Sequence, residues 1–182
     1  MNLLPGTLIE TGKLADGDSR RIFDNIFSCG GLMLSQVCNM TGLEAHTVQN
    51  WVKRRYVSNP KGRMYDVDQF SRLVIINMLK QSLQLDSIVK LLSYINGQLD
   101  NKADDMITDA ELYHKFVSLL LKLNGLNNVE LIKKTAQEVA SDYVEPIAGA
   151  KSSLCMVLVI MAQSYFSSEL KKQAELLMYE LD

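Results

Sequence analysis

Proline is scarce, with three in 182 residues, so few positions interrupt a helix by removing an amide donor. Cysteine is scarce too. Cys29, Cys38 and Cys155 are odd in number and widely spaced, which excludes a disulfide framework. His46 and His114 stand in no metal-ligand spacing with them. We read the three thiols as small apolar side chains in a reducing cytosol. The opening Met1-Asn2-Leu3-Leu4-Pro5 has neither the basic stretch nor the long apolar segment of a signal peptide. The longest apolar run, Leu154 to Ala162, is too short to cross a bilayer and reads as a buried helix. The expectation is a cytoplasmic chain without a membrane partner. Also missing are a Gly-rich phosphate loop, a Gly-x-Ser-x-Gly, a His-Glu-x-x-His and a paired Cys-x-x-Cys. No enzyme, cofactor or metal site is therefore expected. Asp104, Asp105 and Asp109 read as solvated caps of the next helix rather than a metal cluster.

What is present points to helices. Hydrophobic residues make up 47% and charged residues 22%, a balance that permits a packed core. Leu, Met, Lys, Gln and Glu are frequent and Val/Thr alternation is rare, so the fold class is mainly α. The net charge is −2, but it is unevenly spread. Residues 1–97 carry 11 basic and 8 acidic side chains, and residues 98–182 carry 8 and 13. A basic N-terminal half beside an acidic C-terminal half fits a nucleic-acid-binding module joined to a partner or regulatory module. We accordingly divide the chain at 1–97 and 98–182.

Periodicity places the elements. Ile22, Phe23, Ile26 and Phe27 form one face of a short helix that Gly30-Gly31 ends. Ser35 is a candidate cap for a helix through Met40, and Thr41-Gly42-Leu43 is a tight turn. A third helix runs from about Glu44 to Tyr56, with Ala45, Val48, Trp51 and Val52 inward and His46, Gln49, Asn50 and Lys53 outward. Two short helices joined by a Gly-containing turn are a helix-turn-helix signature. Asn59-Pro60-Lys61-Gly62-Arg63, between Val57 and Met64-Tyr65, is a basic loop suited to the tip of a short hairpin, or wing. Asp66 with Gln69 forms a capping box for a helix that turns Val67, Phe70, Leu73, Val74 and Met78 to the core. Asn77 shares that face and needs a hydrogen-bond partner if buried. A further helix passes Ile88, Leu91, Leu92 and Ile95 to Asn96-Gly97. Residues 98–107 read as a polar linker. Thr108 to Glu111 and Asn127 to Glu130 offer two more boxes, and Pro146 interrupts before a final stretch of one or two helices. Leu170, Leu177 and Leu181 lie on or near one side of that stretch.

Residues 33–95 resemble the DNA-binding head of the MerR family. The shared order is helix, Thr-Gly-Leu turn, a recognition helix beginning near Thr47-Val48, a basic loop, Arg63-Met64-Tyr65, then Asp68 with an aliphatic helix. Leu85-Asp86-Ser87-Ile88 and Leu91-Leu92 resemble that family's second helix pair. Val48 to Lys53, Pro60 to Tyr65 and Leu73 to Gln81 look still more like a bacterial domain family, mainly Gram-positive, that carries a domain-of-unknown-function label. The resemblance implies a MerR-like winged helix-turn-helix followed by a C-terminal helical bundle. Two departures matter. Gln49-Asn50-Trp51 replaces the typical Arg-Tyr-Tyr run, so the base preference should differ, and no C-terminal cysteine set resembles a metal-sensing loop.

On the physical side, Gln49 and Asn50 can each bond an adenine edge in two places. His46, Thr47 and Lys53 can share that surface, while Arg54, Arg55, Lys61 and Arg63 suit phosphates. Tyr56 and Tyr65 can donate to phosphate. Alternatively, Lys53-Arg54-Arg55 is a solvated helix end favoured by the helix dipole. Trp51 reads as core. The Leu154–Ala162 run must be covered by the bundle or by a second chain. The expected partners are double-stranded DNA and a second copy of the chain, with room in a bundle core for a small-molecule effector. Two other functions stay open: an adaptor that has lost DNA binding, and an architectural or excision-type protein that bends DNA.

Overall fold

The structure is a computed structural model and describes residues 2–13, 15, 17–99, 101 and 104–180. Leu181 and part of the 98–107 linker therefore lie outside the described residues. The described chain is mainly helical, with eight helices and four two-residue strands. In order these are β1 (Asn2–Leu3), β2 (Glu10–Thr11), α1 (Asp18–Phe27), β3 (Leu32–Met33), α2 (Leu34–Thr41), α3 (Ala45–Lys53), β4 (Met64–Tyr65), α4 (Val67–Leu79), α5 (Leu85–Asn96), α6 (Asp109–Leu123), α7 (Val129–Val139) and α8 (Ala150–Met178). Residues 1–18 show no strand signal in the sequence, yet β1 and β2 pair antiparallel.

Helix α4 is the axis of the fold. Phe70, Leu73, Val74, Ile75, Ile76 and Leu79 are wholly buried, and a helix apolar on all sides belongs inside a core. It packs on α2, α5, α6 and α8. Asp66 caps it as expected: the Gln69 amide donates to Asp66 Oδ1 at 2.8 Å, and the Asp66 amide donates to Gln69 Oε1 at 2.9 Å. An aromatic stack fastens α1 and α6 to α4. Phe23 stacks on Tyr113 at 5.1 Å and meets Phe70 edge-on at 5.4 Å. The Tyr113 hydroxyl donates to the Pro5 carbonyl at 2.8 Å.

A buried polar joint ties the segment after α3 to α6. Arg72 donates through Nε to the Tyr56 carbonyl at 2.7 Å and through its terminal nitrogen to both Asp109 oxygens at 3.2 Å. Asn96 adds a bond to Asp109 at 2.9 Å. Burial pushes the Asp109 carboxyl up to about 6 against the opposing pull of Arg72. Thr108 caps α6 as expected. The cap of α7 is Asn128, one residue later than the start of the expected box. The core runs unbroken from Leu4 to Phe166.

Helix α8 is a single 29-residue element. The Leu154–Ala162 run is only part of it, and by length and composition α8 is the one described helix able to cross a membrane. Within the protein, Leu154, Val157, Leu158, Met161 and Ala162 are buried by the rest of the chain. Residues 170–180 project beyond the bundle and are exposed.

Candidate nucleic-acid interface

Helices α2 and α3 meet through Gly42, Leu43 and Glu44. Gly42 takes a left-handed backbone, with φ 71°, and its amide donates to the Cys38 carbonyl at 2.8 Å. The Thr41 hydroxyl donates to the Val37 carbonyl at 2.7 Å and accepts from the Leu43 amide at 3.2 Å. Val37, Leu43, Val48 and Trp51 are buried together and lock the two helices. Trp51 is core, as its register predicts, with Lys80 Nζ 5.4 Å from the ring centre. Ala45, read as inward, is exposed. Ser35 does not cap α2; it lies inside that helix, and Gln36 Oε1 accepts from the Met33 amide at 2.8 Å instead.

The outward face of α3 presents His46, Gln49, Asn50 and Lys53 to solvent, with Thr47 half-buried beside them. After Lys53 the chain turns sharply. Arg55 has φ 60°, and the Tyr56 amide donates to the Trp51 carbonyl at 2.8 Å. Arg54 lies over the Tyr56 ring at 4.6 Å and stands 3.9 Å from Asp86. That pair is exposed and weakly held. Tyr56 is buried and its hydroxyl donates to Asp86 at 2.8 Å.

The basic loop forms a tight turn. The Met64 amide donates to the Lys61 carbonyl at 3.0 Å, and both central residues are left-handed, Gly62 at φ 58° and Arg63 at φ 65°. Two positive φ values mark the turn that joins twisted antiparallel strands most readily. The strand partner differs from expectation. β4 pairs with β3, upstream of α2, in the register Leu32 to Tyr65 and Met33 to Met64, while Val57 is in the core. Gly31 permits this approach, because a Cβ there would lie 2.7 Å from the Tyr65 carbonyl oxygen. Tyr65 is 4% exposed, so its ring supports the sheet from inside, and burial raises its hydroxyl above the ordinary range.

Gln69 holds this loop in place. Its amide nitrogen donates to the Ser58 carbonyl, the Ser58 hydroxyl and the Asn59 carbonyl, each at 3.0 Å. Sequence reasoning saw only its capping role and missed this second one. As a result α3 and the turn flank one cleft, lined by Leu34, Gln49, Val52, Lys53, Asn59, Pro60, Arg63 and Tyr65. No acidic side chain lines it. Of the residues singled out, Gln49, Lys53, Arg63 and Tyr65 meet there. His46, Thr47 and Asn50 lie along the same helix, Lys61 opens the turn, and Arg54 leans toward Asp86. No group of three or more His, Cys, Asp or Glu residues suited to a metal occurs among the described residues. Cys29 is exposed rather than packed, and Cys38 and Cys155 are half-buried.

Residues 23–116 match the family model described as "Domain of unknown function (DUF1836)". The chain is also similar to "Uncharacterized protein YkrK" of Bacillus subtilis (strain 168), 25% identical over 116 residues. That match covers 62% of this chain and 50% of the relative, so the chain spans about half the length of the curated relative it matches. No solved structure matches the chain.

Proposed function

The chain belongs to the DUF1836 family, and from that premise we propose that it is a sequence-specific DNA-binding transcriptional regulator, cytoplasmic and dimeric, whose head is a MerR-like winged helix-turn-helix. The observation that carries this reading is the cleft between α3 and the Lys61–Met64 turn, lined by Gln49, Lys53, Asn59 and Arg63 with no carboxylate. A groove-reading helix must bury one face and offer the other to bases, while cations beside it neutralise phosphates. Here Val48 and Trp51 anchor α3 while Gln49 and Asn50 face outward. Lys53, Lys61 and Arg63 have no acidic partner among the described residues. Tyr65 is buried and takes a supporting role.

The dimer half of the reading rests on α8. Leu170, Leu176, Leu177 and Met178 are more than half exposed, and Leu170, Ala174 and Leu177 recur at coiled-coil spacing. A second copy of the same helix would bury them.

The test is selection from a random duplex pool at two salt concentrations, for the wild type and for Gln49→Ala/Asn50→Ala. A two-fold symmetric motif, weakened in the variant by about 1–3 kcal/mol per lost base contact, supports the reading. Lys53→Gln and Arg63→Asn should instead weaken binding evenly across sequences and lower the salt slope by about 1 each. Asparagine tolerates the left-handed backbone of position 63, so the turn survives there. Equal, salt-insensitive binding by all four proteins would overturn it. That result would favour an adaptor role, for which exposed Met33 and Met64 on the paired strands offer an apolar contact surface.

A further inference from the structure

A second cleft is lined by none of the candidate nucleic-acid-binding residues of α3 and the turn. It is bounded by the N-terminal hairpin, α4, α6 and α8 and encloses about 1120 Å³. We propose that this cleft binds a small organic anion with an apolar body, and that the hairpin transmits occupancy to the turn between α2 and α3.

The chemistry of the walls selects the ligand class. Leu120, Leu121 and Tyr165 supply the accessible apolar lining, backed by buried Leu4 and Met78. Around it stand Lys13, Lys122 and Lys172, against the single carboxylate of Glu169. Glu169 is already bonded to Lys172 at 2.7 Å. Lys13 and Lys122 have no acidic partner among the described residues. Two unneutralised ammonium groups over an apolar floor suit a carboxylate, sulfonate or phosphate attached to an aromatic or aliphatic body.

The coupling is carried by residues 5–8. Pro5, Gly6 and Thr7 line the cleft, and the same short segment grips the α2–α3 turn. The Leu8 amide donates to the Met40 carbonyl at 2.7 Å. The Leu8 side chain closes over Gly42, where an added Cβ would meet it at 3.2 Å. Asn77, another lining residue, bridges the Gly6 and Thr41 carbonyls. There is no slack behind Gly6, since a Cβ there would lie 2.4 Å from Met78 Cγ. A ligand that moves Gly6 or Thr7 therefore moves contacts to residues 40–42. Ligand binding and its transmission to the α2–α3 turn stand apart from the DNA reading; a change in DNA affinity on occupancy rests on it.

The test is an amide NMR titration of the full chain with 8-anilinonaphthalene-1-sulfonate, an aromatic sulfonate, without DNA. Saturable shifts are expected at Gly6, Thr7, Gly125 and the Asn77 side chain, together with shifts at Gly42 and Leu43. Lys13→Gln/Lys122→Gln, both at exposed positions, should weaken binding about tenfold. Uncharged N-phenyl-1-naphthylamine should bind as weakly to the wild type as the sulfonate does to that variant. Shifts confined to the exposed end of α8, or equal affinity of variant and wild type, would overturn the site. Cleft shifts without movement at Gly42 and Leu43 would overturn the coupling. A failed DNA selection would leave each of these results standing.

Discussion

The side-chain amide of Asn77, in the last turn of the core helix α4, donates to the Thr41 carbonyl at 3.1 Å and to the Gly6 carbonyl at 3.4 Å. One nitrogen thus pins the last residue of α2 and the N-terminal hairpin to the axis of the fold. Asn77→Leu removes that donor from both carbonyls while keeping the number and branching of the side-chain heavy atoms. Leaving two partly buried acceptors unpaired should cost about 1–3 kcal/mol. Urea unfolding would read this as a lower midpoint with an unchanged slope. An unshifted midpoint would mean that water replaces the amide without loss.

Much of this arrangement is legible in the sequence, and the illegible part has a common physical cause. The need of Asn77 for a partner follows from its spacing with Leu73 and Val74, and the Asp66 and Thr108 caps follow from local chemistry. Trp51 sits in the core because its register with Val48 leaves it no other face. By contrast, β3 and β4 are two residues each, too short for an alternating pattern to register. Their pairing joins residues more than thirty apart, and the only local sign of it is Gly31. Arg72 in an apolar helix and Gln69 at its start are visible as residue types, but their partners Asp109, Tyr56 and Ser58 depend on how distant segments close. The exposed groove residues were readable because amphipathicity is local. Tyr65 was misplaced outward because burial of a two-residue strand is not.

Arg72 is the cation of the joint between the end of α3 and the start of α6. Replacing it with Met takes the donor from the Tyr56 carbonyl and leaves Asp109 with the single bond from Asn96. Breaking one side of a buried pair should cost about 3–5 kcal/mol near neutral pH. The pH dependence has a definite sign. Asp109 already titrates at about 6 in the folded state against an ordinary 3.8. A carboxyl raised in this way contributes stability that is full below about 4 and lost as pH rises through 6. Without the guanidinium its folded value rises further. The deficit of Arg72→Met relative to the wild type should therefore grow as pH rises from 5 to 8. A deficit independent of pH would show that the loss is one of packing alone.

His114 gives the opposite slope. It is 7% exposed, and its Nδ1 lies 3.0 Å from the Ser19 hydroxyl under the edge of Phe23. Burial, aided by the charge of Arg20 and opposed by Glu111 and Asp24, lowers it to about 4 from 6.5. The folded state holds the neutral ring, so its contribution is complete above pH 6.5 and is lost as pH falls toward 4. Asp109 changes stability in the other direction over part of that range. The informative quantity is thus the difference between wild type and His114→Gln, not the wild-type curve alone. That difference should shrink or reverse between pH 6.5 and 4.5 in paired urea titrations. Parallel curves would place the titration of His114 outside this window.

The end of α8 bears on assembly. Residues 171–178 are exposed on every side, with Leu176 and Leu177 at 66% and 62% and Tyr179 beyond them at 79%. Ion pairs from Lys171 to Glu175 and from Lys172 to Glu169 run along this segment, yet exposed pairs of that kind add only a few tenths of a kcal/mol. On the proposed reading an identical helix covers these leucines and brings two α3 helices to a two-fold site. Leu170→Gln/Leu177→Gln should leave the bundle as stable as before, because neither side chain is part of its core. It should convert the chain to a monomer in sedimentation equilibrium. It should also weaken binding to a symmetric duplex far more than to a half-site, since the two heads no longer bind as one unit. A wild-type protein that sediments as a monomer at micromolar concentration would remove the dimer from the reading, leaving α3 to act through a single half-site.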